Sequence, residues 1–168
     1  MQYKLLTPGP LTTTDTVKRE MMIDHCTWDD DYKSVTQKIR AGLLKLAHVS
    51  EEEYTSVLMQ GSGTFGVEAA ITTLVGEDDY LLILANGAYG ERMADIAHHA
   101  GISYHMRSWA IDEQPDAQTV KAILQENKSI THVAMVHSET TSGILNDVQS
   151  IGRVVKEAGA TFIVDAMS

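Results

Sequence analysis

From Tyr54 onward, short apolar runs alternate with helical stretches, and a chain patterned this way is driven toward a parallel sheet. The runs Tyr54–Gln60, Tyr80–Asn86, Ile102–Arg107, Thr131–His137 and Thr161–Asp165 read as strands. Between them, Gly66–Val75, Tyr89–Ala100, Asp116–Asn127 and Asp147–Ala158 read as helices. Strands that are apolar on both faces must be covered on both, and parallel neighbours need a crossover to join them. The class is therefore α/β: a mainly parallel sheet with helices on both faces. In the last helix Val148, Ile151, Val154, Val155 and Ala158 share one side, and Gly159 reads as the left-handed residue that stops it.

The first fifty residues follow a different pattern. Thr7-Pro8-Gly9-Pro10 is neither helix nor central strand, because its two prolines lack donors and push their predecessors toward extended backbone. A short helix is predicted over Asp15–Ile23 with Thr14 as its N-cap. A second follows Asp30, with Tyr32, Val35, Ile39, Leu43 and Leu46 spaced three and four apart along one apolar face.

Of the 168 residues, 43% are hydrophobic and 21% charged, an ordinary globular balance with room for one core. The formal net charge of −10 speaks against a nucleic acid or an anionic membrane as partner, since either demands a basic surface. The lone cysteine, Cys26, excludes an internal disulfide and fits a reducing compartment; its neighbour His25 adds no ligand spacing. The N-terminus carries no apolar signal region, and no run nears the ~20 residues needed to cross a bilayer. A cytoplasmic location is expected.

Ligands of open α/β sheets bind beyond the carboxyl ends of the strands, so chemistry is sought there. The first predicted strand runs into Gly61-Ser62-Gly63-Thr64-Phe65-Gly66 and then a helix. Glycines let the backbone approach a phosphate, and the helix N-terminus attracts its charge. Read literally, the loop is a dinucleotide fingerprint. The acidic residue that should then end the second strand is missing, because Ala85-Asn86-Gly87 stands there. Ser62 and Thr64 add hydroxyls suited to a single terminal phosphate. Alone, such a loop also serves tight helix–strand packing. Beyond the second strand Tyr89 opens a helix from a glycine-flanked turn, where its ring serves either as a ligand platform or as packing. Beyond the fourth lies His137-Ser138-Glu139-Thr140-Thr141-Ser142-Gly143, whose hydroxyls suit ligand contacts or a capping turn. His137 itself reads as a core histidine. Beyond the fifth, Asp165 would be a carboxylate at the end of a buried strand, stable there only against a donor or cation. A phosphate cradle, a ring platform, hydroxyls and a buried acid together match pyridoxal phosphate better than they match a dinucleotide.

These segments resemble the class V aminotransferases. The resemblance runs through Leu6–Pro10, the Gly61–Gly66 loop with Val67-Glu68-Ala69, Ala85–Arg92, His137–Gly143 and Val164–Ser168. It implies the large domain of fold-type I pyridoxal-phosphate-dependent transferases. Residues 1–23 would then form a segment at the substrate mouth and dimer contact, and residues 24–168 an incomplete cofactor-binding domain. It further implies that Ser62, Gly63 and Thr64 hold the cofactor phosphate, that Tyr89 stacks on the ring, that Thr140 reaches its phenolic oxygen, and that Asp165 pairs with its nitrogen. Thr7 and Gly9 would lie near the substrate mouth of a homodimer. Thr27–Tyr32 and the His-Ser-Glu-Thr-Thr run favour the branch that passes the amino group of 2-aminoethylphosphonate to pyruvate, over the alanine–glyoxylate and serine-using branches.

One departure stands out. The family's covalent anchor lysine is expected downstream of the aspartate, and no lysine here matches it; Lys156, for instance, falls on the polar side of the last helix. The chain is thus expected to end before the small C-terminal domain. A truncated, non-catalytic fragment that binds pyridoxal phosphate is the first alternative. A nicotinamide-dependent oxidoreductase, resting on the glycine loop alone, is the second.

Overall fold

The computed structural model describes residues 3–7 and 9–168 and divides into two compact units, Met1–Gln60 and Gly61–Ser168. In the first unit, Thr7 and Gly9 lie in an exposed turn, while Pro8 lies outside the described residues. An antiparallel bridge between Leu6 and Leu11 closes this turn, and the Thr7 hydroxyl donates to the Pro10 carbonyl. Helix α1 (Asp15–Glu20) begins at Thr14, whose hydroxyl accepts from Val17 N, and stops three residues short of the expected Ile23. Helix α2 spans Asp30–Leu46. Its predicted apolar face is present, but Tyr32, Val35, Ile39 and Leu43 remain exposed.

The segment 54–60 is the main departure from the sequence reading: it is extended but belongs to no sheet. A strand exists only through a neighbour's N–H and C=O groups. Here α2 supplies side-chain bonds in their place. Arg40 donates from Nε to the Ser56 carbonyl at 2.9 Å and from Nη2 to Thr55 Oγ1 at 2.8 Å. The Ser56 hydroxyl returns a bond to the Arg40 carbonyl at 3.2 Å.

The second unit carries the α/β architecture. In chain order it runs α3 (Gly63–Leu74), β1 (Leu81–Ala85), α4 (Ala88–His99), β2 (Tyr104–Ser108), α5 (Ala117–Glu126) and β3 (His132–Val136). A short hairpin of β4 (Ser138–Glu139) and β5 (Ile144–Leu145) follows, then α6 (Val148–Glu157) and β6 (Thr161–Asp165). The main sheet is parallel, in the order β2-β1-β3-β6.

Strand side chains alternate, so each central strand feeds two cores. Leu81 and Ile83 of β1, with Ala134 and Val136 of β3, pack beneath Ile71 of α3 and Met93 and Ala97 of α4. Leu82 and Leu84, with Val133 and Met135, pack beneath Val120 and Leu124 of α5 and Ile151 and Val155 of α6. That double burial explains why β1 is apolar throughout and β3 from Val133 to Val136. Gly159 has φ of 76°, and the Ala160 N–H returns to the Val155 carbonyl at 3.1 Å, the expected left-handed stop after α6. No helix among the described residues is long and apolar enough to cross a membrane.

Candidate functional site at the carboxyl ends of the strands

The glycine loop is mostly helix. Ser62 is the N-cap of α3, and its hydroxyl accepts from Phe65 N at 3.2 Å. The helix therefore begins three residues before the expected Gly66, because a serine with a free N–H three positions on is a strong cap. Gly63 and Thr64 become the first residues of α3, where backbone N–H groups have no acceptor within the helix and the dipole is positive. Thr64 Oγ1 accepts from Arg92 Nη1 at 3.1 Å, and the Arg92 guanidinium sits 4.8 Å from the centre of the Tyr89 ring. Two N–H groups without a helical acceptor, two hydroxyls and a guanidinium make this corner suited to an anion with several oxygens.

Tyr89 stands in the first turn of α4, half-buried against the core beneath α3 and α4. The turn has no side-chain cap from its own sequence, since Gly87 occupies the N-cap position. A carboxylate from the β4–β5 hairpin fills that role. Glu139 is fully buried. Its Oε2 accepts from Gly90 N at 3.4 Å, and its Oε1 from Thr141 N at 3.2 Å and from the Thr141 hydroxyl.

Registers align the remaining residues at one level. Leu84 of β1 lies beside Met135 of β3, and Val136 lies beside Asp165 of β6. Asp165 thus ends its strand next to the hairpin's entry, where its carbonyl accepts from His137 N at 2.8 Å. Its Oδ1 accepts from Met167 N at 3.1 Å, and the described residues leave Oδ2 open to another donor. Asp165 is half-buried rather than buried, because β6 is an edge strand with only part of its surface covered. Thr140 is exposed, its hydroxyl 2.7 Å from that of Ser168. His137 is half-buried. Lys156 is exposed on α6, as its place in the helix pattern predicted.

Ser62, Gly63, Thr64, Tyr89, Thr140 and Asp165 therefore all belong to one unit and lie at one end of its sheet. Sequence reasoning missed two participants. Arg92 follows Tyr89 by three residues, which places both on the same helix face, and that spacing was a usable signal. Glu139 carried a weaker one, a carboxylate three residues past the end of a buried strand.

A parallel sheet with a phosphate-suited helix end and an acid at the last strand has the architecture of the large domain of fold-type I aminotransferases. Solved structures agree. A pyridoxamine–pyruvate aminotransferase from Mesorhizobium loti superposes with a TM-score of 0.85 at 28% identity, covering 96% of this chain and 41% of that one. An alanine–glyoxylate aminotransferase from Nostoc sp. gives 0.84 at 25% identity, covering 95% and 42%. The aminotransferase class-V profile matches residues 24–168, and the chain belongs to that family. Among curated relatives, a 2-aminoethylphosphonate–pyruvate transaminase from Lysinibacillus sphaericus is 61% identical over 99% of this chain. One from Salmonella enteritidis is 51% identical over the same share. The chain spans 45% of the length of each.

Proposed function

We propose that the protein carrying this chain uses pyridoxal phosphate to transfer the amino group of 2-aminoethylphosphonate to pyruvate, giving phosphonoacetaldehyde and L-alanine. The observation that carries this reading is the 61% identity, over 99% of the chain, with a relative that bears this activity's name. The donor set at the strand ends supports it. The cofactor's phosphate would be held by the Gly63 and Thr64 N–H groups with the Ser62 and Thr64 hydroxyls, and Arg92 supplies an adjacent positive charge. Tyr89 would present a ring face, and Thr140 a hydroxyl for the phenolic oxygen.

Bound there, the cofactor supplies an electron-poor ring able to stabilise negative charge on a substrate carbon. Asp165 keeps a carboxylate oxygen available to hold the proton on the ring nitrogen, the charge on which that electron demand depends. The helix end neutralises the phosphate without contributing a proton. Residues 1–23 would contribute Thr7 and Gly9 to the substrate mouth of a cytoplasmic homodimer, and residues 24–168 belong to the cofactor-binding domain.

The test is alanine formation by the natural protein that contains this chain. We expect turnover with 2-aminoethylphosphonate and pyruvate. Asp165→Asn should lower it on the order of a hundredfold, because the ring nitrogen loses the partner that keeps it charged. Turnover with serine or with glyoxylate as acceptor, and none with this pair, would move the protein to a sister activity. Sedimentation at equilibrium measures the dimer.

A further inference from the structure

We propose that Glu139 is a positioning residue that sets the plane of the Tyr89 ring by serving as the N-cap α4 lacks in its own sequence. The proposal rests on the reading of Tyr89 as the ring that stacks on the cofactor.

The geometry is unusual for a glutamate. The side chain is fully buried, yet among the described residues no cation is a partner. Its hydrogen-bond partners among the described residues are all donors: Gly90 N on one oxygen, Thr141 N and the Thr141 hydroxyl on the other. A buried carboxylate without a counter-ion is costly unless fixed dipoles replace water, and the first turn of a helix is such a dipole. Gly90 is the third residue of α4, the position an N-cap side chain ordinarily reaches. Glu139 thus does from 49 residues away what a serine or aspartate would do locally.

Two glycines make the approach possible. Gly87 has φ of 168°, an extended backbone that any residue adopts, so conformation does not explain it. Space does. A Cβ there would fall 2.5 Å from Glu139 Cδ and 2.6 Å from Thr141 Oγ1. A Cβ on Gly90 would fall 2.8 Å from Ala85 Cα. The turn that carries Tyr89 is therefore pressed between β1 and a buried carboxylate. Tyr89 lies between these two contacts in sequence and has little freedom to tilt. Removing the carboxylate frees one N–H of that turn and opens space beside it, while the Ser62 cap at the start of α3 keeps its own bond.

The experiment compares wild type, Glu139→Gln, Glu139→Ala and Gly87→Ala in the natural protein, all loaded with pyridoxal phosphate. Circular dichroism in the visible band of the bound cofactor reports how firmly its ring is oriented. Inorganic phosphate, competing for the site, reports the α3 corner alone. We expect each variant to weaken pyridoxal phosphate binding roughly tenfold and to reduce the induced dichroism at saturation, with the dissociation constant of inorganic phosphate, extracted from the competition, unchanged. Glu139→Gln, which keeps the size, should fall between wild type and Glu139→Ala. Wild-type dichroism and affinity in both Glu139 variants would overturn the proposal, and so would variants that melt earlier with the saturated signal intact. Absence of any cofactor signal in the wild type would instead refute the functional reading, and the proposal with it.

Discussion

The two ends of the parallel sheet both carry polar side chains within the protein, but they use them differently. At the amino end, Asp79, Thr131 and His132 serve the sheet's own margin. Asp79 Oδ2 accepts from Gly76 N at 2.9 Å, Thr131 Oγ1 accepts from Tyr80 N at 3.1 Å, and Thr131 Oγ1 lies 2.8 Å from His132 Nδ1. At the carboxyl end, the polar groups reach past the strands and hold loops to one another. Asn86 and Asn146 exchange amide bonds at 2.9 and 3.1 Å. Their remaining amide hydrogens go to the Glu113 carbonyl at 2.9 Å and the Val136 carbonyl at 2.8 Å. One end closes turns; the other fixes the relative positions of segments that hold candidate ligand contacts. Side chains aimed at a ligand need their supporting loops held in this way, since a loosely supported site loses its geometry.

Disturbing the Asn86–Asn146 pair should show the contrast most strongly. Asn146→Ala leaves Asn86 Oδ1 and the Val136 carbonyl without their donors and one Asn86 Nδ2 hydrogen without its acceptor, all in the buried interior. Each orphaned group costs about 1–3 kcal/mol, so a loss of about 3 kcal/mol is expected by urea denaturation. A cost below about 1 kcal/mol would mean that the loops are held by something else. Gly90→Ala comes next. The added methyl meets the Ala85 backbone, which cannot swing aside as a side-chain tip can, and about 2 kcal/mol of overpacking is expected. If the variant is as stable as wild type, α4 can shift on β1, and the first turn is looser than the contacts imply.

Much of this architecture was legible in the sequence, and the reason is local. The apolar runs of β1 and β3 announce strands because both faces are buried, and Thr14, Asp116 and Asp147 cap helices through bonds to residues only three positions on. The strand-end rule likewise placed Tyr89, Thr140 and Asp165 beyond β1, β3 and β6, whereas Ser62 was sought after 54–60, which belongs to no sheet. What could not be read was set by distant partners. Asn86 and Asn146 lie 60 residues apart, and neither carries any mark of the other. Glu139 looked like one more polar residue in a hydroxyl-rich run. The segment 54–60 has a strand's composition, yet strand character belongs to a pair, and Thr55 and Ser56 bond to Arg40 of α2 instead.

The smallest effect is expected at the amino end, where acidity tests the contrast. The Asp79 carboxyl is held below its ordinary value of 3.8, first by the Gly76 N–H, then by the Thr131 hydroxyl, with a further contribution from His132. A carboxyl lowered by folding adds stability that is present above its unfolded value and lost as pH falls through the folded one. Asp79→Asn should therefore destabilise the protein modestly at neutral pH, with the difference from wild type shrinking below about pH 4 as Asp79 itself becomes neutral. Asp116 and Asp147 are lowered in the same way by their own capping bonds, so both proteins should still lose stability in acid. Thermal melts of the pair from pH 7 to pH 3 measure the gap. A gap that stays constant across this range would show that the Asp79 charge contributes nothing to the turn. The amino end would then be held by its backbone and hydroxyl bonds alone, and its contrast with the carboxyl end would be greater still.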